Sequence, residues 1–237
     1  MFFICCMTVL HQFFRLFIFP IFCIKCSQPI RYSSPLELCL FCITELPFTN
    51  HFELPDNLME QRFWGRIPFH RAAALFYFQK GEYIQQIIYR MKYGNGQAMG
   101  YEFGGLLGKA LKGSDDFKSV DYLLPVPLHP KKLLERGYNQ SELICSGIQQ
   151  TWDKPICTDL TRIKHTKTQT QMGRVARAKN LESAFTFASS HPKQTHYLLV
   201  DDVLTSGATI EACAEAILMF NPKARISIAT LAFADLW

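Results

Sequence analysis

The chain has 237 residues, of which 49% are hydrophobic and 19% are charged, and this composition excludes an intrinsically disordered protein. The length gives room for one domain of medium size and a small appendage. The net charge of +5 is compatible with phosphate or nucleic-acid ligands but identifies neither. An odd number of cysteines that includes two CxxC pairs argues against a secreted disulfide framework, and we therefore expect a cytoplasmic protein.

Residues 1–22 form an apolar segment rich in phenylalanine. It lacks a basic stretch before the apolar run and a small-residue cleavage site after it, so it does not match a signal peptide. The apolar runs on either side of His11 to Arg15 are too short to span a bilayer. We interpret the segment as an amphipathic helix, over about Val9 to Phe19, that packs on the body of the protein. Membrane contact is the less favoured alternative, and Met7 is an alternative start to Met1.

Two CxxC pairs follow, Cys23 with Cys26 and Cys39 with Cys42. Four thiolates at this spacing predict a tetrahedral zinc site without an open position, which is structural rather than catalytic. We therefore predict a zinc-ribbon module over residues 23–46. Four buried or redox-active cysteines are the alternative interpretation.

Residues 47–68 are interpreted as a linker, because prolines punctuate the segment and its periodicity is poor; Phe63 and Trp64 are its candidate anchors on the main domain. Over residues 69–237, apolar runs typical of strands alternate with segments of helical periodicity. This alternation predicts an α/β fold with a mostly parallel, doubly wound sheet. The predicted strands are residues 72–78, 122–127, 156–157, 184–187, the run from Tyr197, and 225–233. Gly104, Gly105 and Gly108 lie in a predicted helix and suggest a backbone packed closely against the sheet.

The stretch from Tyr197 to Thr209 combines a buried strand, two adjacent carboxylates and a small hydroxyl-rich loop before a helix. Unpaired backbone N–H groups at such a helix N-terminus favour phosphate. Asp201 and Asp202 would repel a phosphate unless they bind sugar hydroxyls or Mg²⁺. The stretch therefore predicts a phosphorylated sugar as the ligand.

This stretch resembles the signature of type I phosphoribosyltransferases, which bind phosphoribosyl pyrophosphate (PRPP). Further candidate motifs are Pro125 to His129 with Arg136 to Gln140; Arg162, Thr166, Gln169, Met172, Arg177 and Asn180 followed by Ala184–Phe185; and the four cysteines. These segments resemble the ComF family (ComF/GntX type), which is linked to bacterial competence and DNA use. Met172 and Ser206 replace a usual leucine and a common threonine, and neither change removes a donor that the chemistry needs.

The resemblance implies a fold of the type I phosphoribosyltransferase kind with an N-terminal Cys₄ zinc finger, and PRPP with Mg²⁺ as its ligand. Asp201 and Asp202 are expected to bind the ribose hydroxyls, and Arg136, permanently charged and bidentate, to bind the pyrophosphate. These three are the candidate catalytic residues. The 5′-phosphate is assigned to Thr205, Ser206, Gly207, Ala208 and Thr209, and the pyrophosphate also to the loop Val126, Pro127, Leu128 and His129 through backbone N–H groups and Mg²⁺.

The stretch from Arg162 to Lys179 is basic, polar and free of acidic residues. We predict that it is a lid which closes over the phosphates and excludes water. Nucleic-acid contact is the alternative, and one loop could do both. The candidate lid or nucleic-acid residues are Arg162, Thr166, Gln169 and Arg177.

The family implies a PRPP-binding protein that acts in DNA uptake, or in the use of incoming single-stranded DNA, with other competence or DNA-processing proteins as further partners. A nucleobase-salvage phosphoribosyltransferase and a non-catalytic, PRPP-dependent nucleic-acid-binding module are the alternatives. No segment selects a nucleobase or supplies an evident general base. The sequence thus leaves open which acceptor is used and whether PRPP is turned over.

Overall fold

The computed structural model describes residues 21–30, 36–79, 83–93, 96–163 and 184–234. The chain forms two compact units, Met1–Pro47 and Phe48–Trp237. The predicted helix over Val9 to Phe19 lies outside the described residues, as do Thr166, Gln169 and Arg177 of the predicted lid. Within the described part of the chain, no helix combines the length and apolar character needed to cross a bilayer.

The smaller unit contains a short antiparallel pair, β1 (Ile21–Phe22) and β2 (Pro29–Ile30), and the helix α1 (Leu40–Thr44). The last two residues of the segment that we interpreted as a helix are therefore strand. The turn between the two strands is closed by the Ser27 N–H, which donates to the Cys23 carbonyl over 2.8 Å. This turn brings Cys23 and Cys26 to the same end of the pair.

Residues 48–68 fold as part of the larger unit, which differs from the predicted linker. The segment contains the short helix α2 (Leu58–Gln61), which is capped by the Asn57 side chain. Met59 and Phe63 are fully buried in the core of the unit, whereas Trp64 is exposed. Phe63 is thus an anchor as predicted, Trp64 is not, and Met59 was missed because so few apolar residues do not show a period.

The larger unit is built on a four-stranded sheet in the order β3–β8–β7–β4, and all neighbouring strands are parallel. The strands are β3 (Ala72–Phe78), β4 (Tyr122–Pro125), β7 (His196–Leu204) and β8 (Arg225–Ala234). Their residues are mostly apolar and buried, as expected for parallel strands covered on both faces. The predicted α/β fold with a parallel sheet is thus confirmed.

Two of the predicted strands lie outside this sheet. Residues 184–187 contribute β6 (Phe185–Phe187), which pairs with β5 (Leu160–Arg162) in a separate antiparallel hairpin. Ile156 forms only a single parallel bridge with Leu123. Short apolar runs do not reveal their partners, so sequence periodicity could not separate these segments from the main sheet.

The helices that follow or precede these strands are α3 (Tyr83–Lys92), α4 (Gln97–Gly113), α5 (Pro130–Arg136), α6 (Gln140–Thr151) and α7 (Ala208–Phe220). Ile84, Ile87, Ile88 and Met91 form the buried stripe of α3, as their spacing predicts. In β7, Tyr197 and Leu199 belong to the core cluster that includes residues of α2 and α7. Leu198 and Val200 are fully buried outside this cluster, as expected for the opposite face of the strand.

Glycines of α4 approach α6 rather than the sheet, which corrects the partner predicted for them. An added Cβ at Gly104 would lie 2.9 Å from the Ile144 Cα, and one at Gly108 would lie 2.9 Å from the Ile148 Cα. From the other side, a Cβ at Gly147 would lie 2.8 Å from the Gly105 nitrogen. The two helix backbones are therefore in direct contact, and side chains at these three positions would separate them.

Candidate functional site

Asp201 and Asp202 lie at the carboxyl-terminal end of β7, inside the strand rather than after it. Pairing of β7 with β8 continues to Leu204, whereas pairing with β4 stops at Val200. One edge of β7 is therefore open from Asp201 onwards. Ligands of open parallel sheets bind at this end, which is where the sequence predicted the site.

The two carboxylates have different partners. The Ser141 hydroxyl donates a 3.0 Å hydrogen bond to Asp201 Oδ1, and the Lys92 ammonium forms a 2.7 Å ion pair with Asp202 Oδ2. Burial, reinforced by the neighbouring Asp202 carboxylate, raises the pKa of Asp201 to about 7. A proton on Asp201 is thus exchanged near neutral pH, while the ion pair compensates the charge of Asp202.

Two cations act directly on the carboxylate pair, Lys92 through its ion pair with Asp202 and Arg162 through the charge of Asp201. Lys132 and Arg136 lie near these two cations. Burial lowers the pKa of Lys132, and the charges of Arg136, Arg162 and Lys92 lower it further, so these four groups share one electrostatic environment. Burial also lowers the pKa of Arg162, whereas the negative charge of Asp201 raises it. Such an arrangement favours a ligand that carries several negative charges.

Arg136 ends α5, and neighbouring residues fix the position of its guanidinium. The guanidinium donates to Gln140 Oε1 over 2.9 Å and lies 5.4 Å from the centre of the Tyr93 ring. Gly137 provides the left-handed backbone that ends the helix there, with φ of 78°. The Arg136–Gly137 pair in the sequence thus reflects a helix end that presents a charge.

The phosphate loop predicted over Thr205 to Thr209 is shorter in the structure, because α7 already begins at Ala208. Gly207 precedes the helix with φ of 84°, and the Ser206 carbonyl accepts a 3.1 Å hydrogen bond from the Arg66 guanidinium. Arg66 also forms an ion pair with Glu211 in the first turn. The backbone N–H groups of this first turn are the ones available to an anion.

Replacing Gly207 by alanine is expected to destabilise the larger unit more than the same change at Gly65. Both glycines have a positive φ, which costs alanine about 1 kcal/mol. At Gly207 the new Cβ would also lie 2.9 Å from Phe63 Cε1, whereas nothing lies within 4 Å at Gly65. Overpacking of this kind adds about 1–2 kcal/mol. Urea unfolding of both variants measures the difference, and equal losses would show that Phe63 does not constrain the loop.

The sequence predicted that the loop from Val126 to His129 binds pyrophosphate through its backbone N–H groups. In the structure, not all of these groups can do so. The Val126 N–H donates to the Val200 carbonyl over 2.9 Å, and Pro127 has no N–H. The His129 ring caps α5, because its Nδ1 accepts from the Lys131 N–H over 3.1 Å. The Asn139 amide donates to the Val126 carbonyl over 3.1 Å and so ties the loop to α6.

A cavity of about 260 Å³ lies between this loop and the β5 strand. Prolines and leucines form much of its wall, and five polar side chains also line it: Asn139, Glu142, Thr158, Thr161 and Arg162. Its size and mixed lining suit one small cyclic ligand group. The sequence did not predict this cavity, because its walls come from segments that are far apart along the chain.

The four predicted zinc ligands come together in the smaller unit. The sulfur atoms of Cys23, Cys26, Cys39 and Cys42 all lie within 4.8 Å of one another, and those of Cys26 and Cys39 are 3.7 Å apart. Tetrahedral zinc with Zn–S bonds of ~2.3 Å places two sulfur atoms ~3.8 Å apart. Backbone N–H groups donate to two of the sulfurs, Cys23 and Cys39. The cluster is therefore compatible with a structural zinc.

The structure brings Asp201, Asp202, Arg136, Arg162 and the phosphate loop to one side of the larger unit. Sequence reasoning missed three neighbours: Lys92, Lys132 and Ser141. Two of them had a weak signal in the sequence: Lys92 ends the amphipathic helix α3, and Ser141 lies just after the residue that caps α6. Charge at a helix end and a hydroxyl in a first turn have many structural explanations, so neither signal pointed to the site by itself.

Comparisons with known proteins give matches in this region. The phosphoribosyl transferase domain family matches residues 140–235. Competence protein F of Haemophilus influenzae is 26% identical over 80% of this chain and 75% of its own length. The DNA utilization protein YhgH of Escherichia coli is 34% identical over 46% of this chain and 47% of its own length. Competence protein ComFC of Bacillus subtilis is 29% identical over 46% of this chain and 43% of its own length. The chain thus spans three quarters of the first relative and about half of the other two.

Proposed function

We propose that this chain is a phosphoribosyltransferase-like protein of the ComF type, which binds PRPP at Asp201 and Asp202 and acts in the use of incoming DNA. The resemblance predicted from the sequence is confirmed by the phosphoribosyl transferase domain match and by the competence relatives. The observation that carries the ligand proposal is the carboxylate pair at the open end of β7, with Lys92 and Arg162 beside it and Lys132 and Arg136 close to these two cations.

Each part of PRPP has a suitable partner in this arrangement. The ribose hydroxyls can donate to the Asp201 and Asp202 carboxylates. The 5′-phosphate can accept from the first-turn N–H groups of α7. The pyrophosphate can form ion pairs with Lys132 and Arg136, and it can compete with Asp202 for the ion pair with Lys92. These contacts make PRPP a better ligand than a neutral sugar, because a neutral sugar carries no negative charge for the cations to attract.

Mg²⁺ belongs to the same proposal. The Asp201 and Asp202 oxygens are of the kind that Mg²⁺ prefers, and it commonly binds through one or two carboxylates together with substrate phosphates. When bound with PRPP, Mg²⁺ would neutralise charge on the pyrophosphate. The residues of the chain orient the ribose and attract the phosphates.

Replacing both Asp201 and Asp202 by asparagine is expected to weaken PRPP binding at least tenfold, which corresponds to about 1.4 kcal/mol. The asparagines keep the size of the side chains but lose the charge that accepts from the ribose hydroxyls. Calorimetric titration with PRPP and Mg²⁺ at pH 8 measures the affinity. The double variant Asp115→Asn/Asp153→Asn, which removes two exposed carboxylates elsewhere, is the control. Equal affinity of wild type and the Asp201/Asp202 variant would contradict the proposal.

The same double variant tests the link to DNA use in cells. If PRPP binding drives that role, DNA uptake or growth on DNA should fall with the Asp201/Asp202 change and not with the control. Normal uptake with a protein that no longer binds PRPP would separate the two functions. It would favour a module that contacts DNA or a partner independently of PRPP.

An exposed tyrosine pair next to the cation cluster supports single-stranded DNA as a partner. Tyr89 lies in α3 and Tyr93 directly follows its last residue; the two side chains are 63% and 55% exposed, and their ring centres are 4.9 Å apart. Arg136 lies over the Tyr93 ring. Aromatic rings that adjoin positive charge are the means by which proteins bind unpaired bases without selecting a sequence. The surface formed by Tyr89, Tyr93 and Arg136 is therefore proposed as a base-stacking surface.

Replacing both Tyr89 and Tyr93 by alanine is expected to weaken binding of oligo(dT) at least tenfold. Stacking contributes about 1–3 kcal/mol per base. Fluorescence anisotropy at several salt concentrations gives the affinity and its salt dependence. The variant Leu134→Ala/Met219→Ala removes two apolar side chains that are exposed elsewhere and should leave binding unchanged. Undetectable or salt-independent binding by the wild type would remove the DNA proposal.

A nucleobase-salvage phosphoribosyltransferase is the second candidate function. The cavity beside Leu128 and Arg162 favours it, because its volume suits a free base as acceptor. Release of pyrophosphate from PRPP with one common base, and with none of the others, would support this function. If no base causes release of pyrophosphate, the protein does not transfer the phosphoribosyl group to a base, and only the proposal that it binds PRPP remains.

A further inference from the structure

The larger unit contains a second cluster of metal-ligating side chains, formed by Cys157, Asp159 and His191. One ligand atom from each residue lies within 4.8 Å of the other two. Cys157 is buried, and the Asp159 and His191 side chains are 31% and 20% exposed. The cluster therefore combines a protected sulfur with two groups that an incoming ion can reach.

The surrounding structure orients two of the three ligands, Cys157 and His191. The Cys157 N–H donates to the Leu123 carbonyl over 2.8 Å, which attaches this residue to the edge of β4. The His191 ring stacks on the Tyr122 ring, with centres 3.9 Å apart, and its Nδ1 lies 3.2 Å from the Tyr197 hydroxyl. Oriented ligands lose little freedom when an ion binds, which favours a metal site over a chance grouping.

The cluster lies at the other end of the sheet from the PRPP site. Tyr122 begins β4 and Tyr197 is the second residue of β7. Asp201 follows Tyr197 by four positions along the same strand, which is about 13 Å at the usual rise of a strand. The cluster is therefore separate from the carboxylate pair and takes no part in binding PRPP.

We propose that Cys157, Asp159 and His191 form a second zinc site, in addition to the Cys₄ cluster. Sulfur, imidazole nitrogen and carboxylate oxygen together suit Zn²⁺ rather than the all-oxygen coordination of Mg²⁺ or Ca²⁺. A thiolate and a carboxylate neutralise the two charges of the ion, so a partly buried complex has no net charge. Water takes the fourth position, next to the Tyr197 hydroxyl.

The position of the ligands indicates what the ion stabilises. Asp159 directly precedes β5, and its carbonyl accepts from the Ala188 N–H over 3.2 Å, just after β6. His191 lies a few residues further on, and Cys157 is attached to β4. An ion bound by all three would clamp both ends of the β5–β6 hairpin to the sheet. This hairpin encloses the segment that contains the predicted lid.

Metal analysis of the full-length protein, purified with Zn²⁺ and without chelator, tests the proposal. The wild type should contain two zinc ions per chain, and Cys157→Ser and His191→Ala should each contain one. Cys145→Ser removes another buried thiol and should retain both ions. His191→Cys provides a different metal ligand at the same position and should contain two zinc ions, unlike His191→Ala. This difference distinguishes loss of a ligand from misfolding. Titration of metal-free protein with Co²⁺ gives an independent count, because thiolate sites absorb strongly.

The variant Cys39→Ser/Cys42→Ser separates this site from the Cys₄ cluster. If that variant retains one zinc, which His191→Ala then removes, the second site exists whatever the state of the ribbon. If the wild type contains one zinc and the Cys39/Cys42 variant contains none, the proposal is overturned. Unchanged zinc content in both Cys157→Ser and His191→Ala overturns it as well.

Discussion

Replacing Gly147 by alanine is expected to destabilise the larger unit by about 3 kcal/mol, the upper range for overpacking a close contact. The added Cβ would overlap the Tyr101 carbonyl oxygen and would lie 2.8 Å from the Gly105 nitrogen. Both are backbone atoms within a helix, so neither can rotate away. The two helices would have to separate, and buried side chains such as Phe103 and Ile144 would lose contacts.

Gly105→Ala is the matched control for this prediction. Its Cβ would lie 3.6 Å from Thr151 Cγ2 and 3.8 Å from the Gly147 oxygen, which are ordinary contacts. Alanine is a better helix former than glycine, so the change should be neutral or stabilise by up to ~1 kcal/mol. Urea unfolding of the two variants measures the difference. A Gly147→Ala protein as stable as wild type would show that α4 and α6 can move apart at little cost.

Acid is expected to destabilise the protein through His196, which burial keeps uncharged. Its ring lies between the hydroxyls of Ser119 and Ser227, at 3.0 and 2.9 Å, and is 1% exposed. Burial, with smaller effects from Arg225 and His70, lowers the pKa of His196 to about 4 from 6.5. The unfolded chain takes up a proton near pH 6.5 and the folded chain does not. Stability from this residue is therefore present above pH 6.5 and is lost between pH 6.5 and 4, by about 3 kcal/mol.

Other residues, including His51, His70 and Asp201, contribute to the same pH range, so the difference between variants is the informative quantity. Burial also lowers the pKa of His51 to about 4, which adds a loss of the same sign. The raised pKa of Asp201 acts oppositely, because its stabilising effect is present below pH 4 and is lost as the pH rises to 7.

The experiment measures the free energy of unfolding of wild type and His196→Gln in urea at pH values from 4 to 7.5. The free energy of unfolding of the wild type, relative to that of His196→Gln, should fall by about 3 kcal/mol from pH 7 to pH 4. His51→Gln serves as a second variant with the same expected direction. A difference in the free energy of unfolding that does not change with pH would show that His196 has the same pKa in the folded and unfolded chains.

The charges of Asp201 and Asp202 are partly balanced within the protein. Lys92 compensates Asp202, and Asp201 can keep a proton near neutral pH. A polyanionic ligand that binds here would pair with Lys92 in place of Asp202, and the other cations are already in position to contact it. The site is therefore preorganised for its proposed ligand, and part of its charge is balanced internally until that ligand arrives.

Much of the fold and part of the site could be predicted from the sequence, because the signals are local. A buried strand, two carboxylates, a glycine and a helix follow one another within Tyr197 to Thr209, and chain connectivity alone keeps them together. The same holds for α3, whose buried stripe follows from the helical period, and for the paired CxxC motifs. In each case neighbours in the sequence are neighbours in space.

Tertiary structure decided the contacts between distant segments. Ser141 meets Asp201 across 60 positions of the chain, and Lys92 meets Asp202 across a longer interval. Residues 48–68 join the core through Met59 and Phe63, and the glycines of α4 meet α6 instead of the sheet. Propensity and periodicity describe which face of an element is apolar, but not which partner covers it. That partner is chosen by the packing of the whole unit, where burial of each face competes with every alternative arrangement.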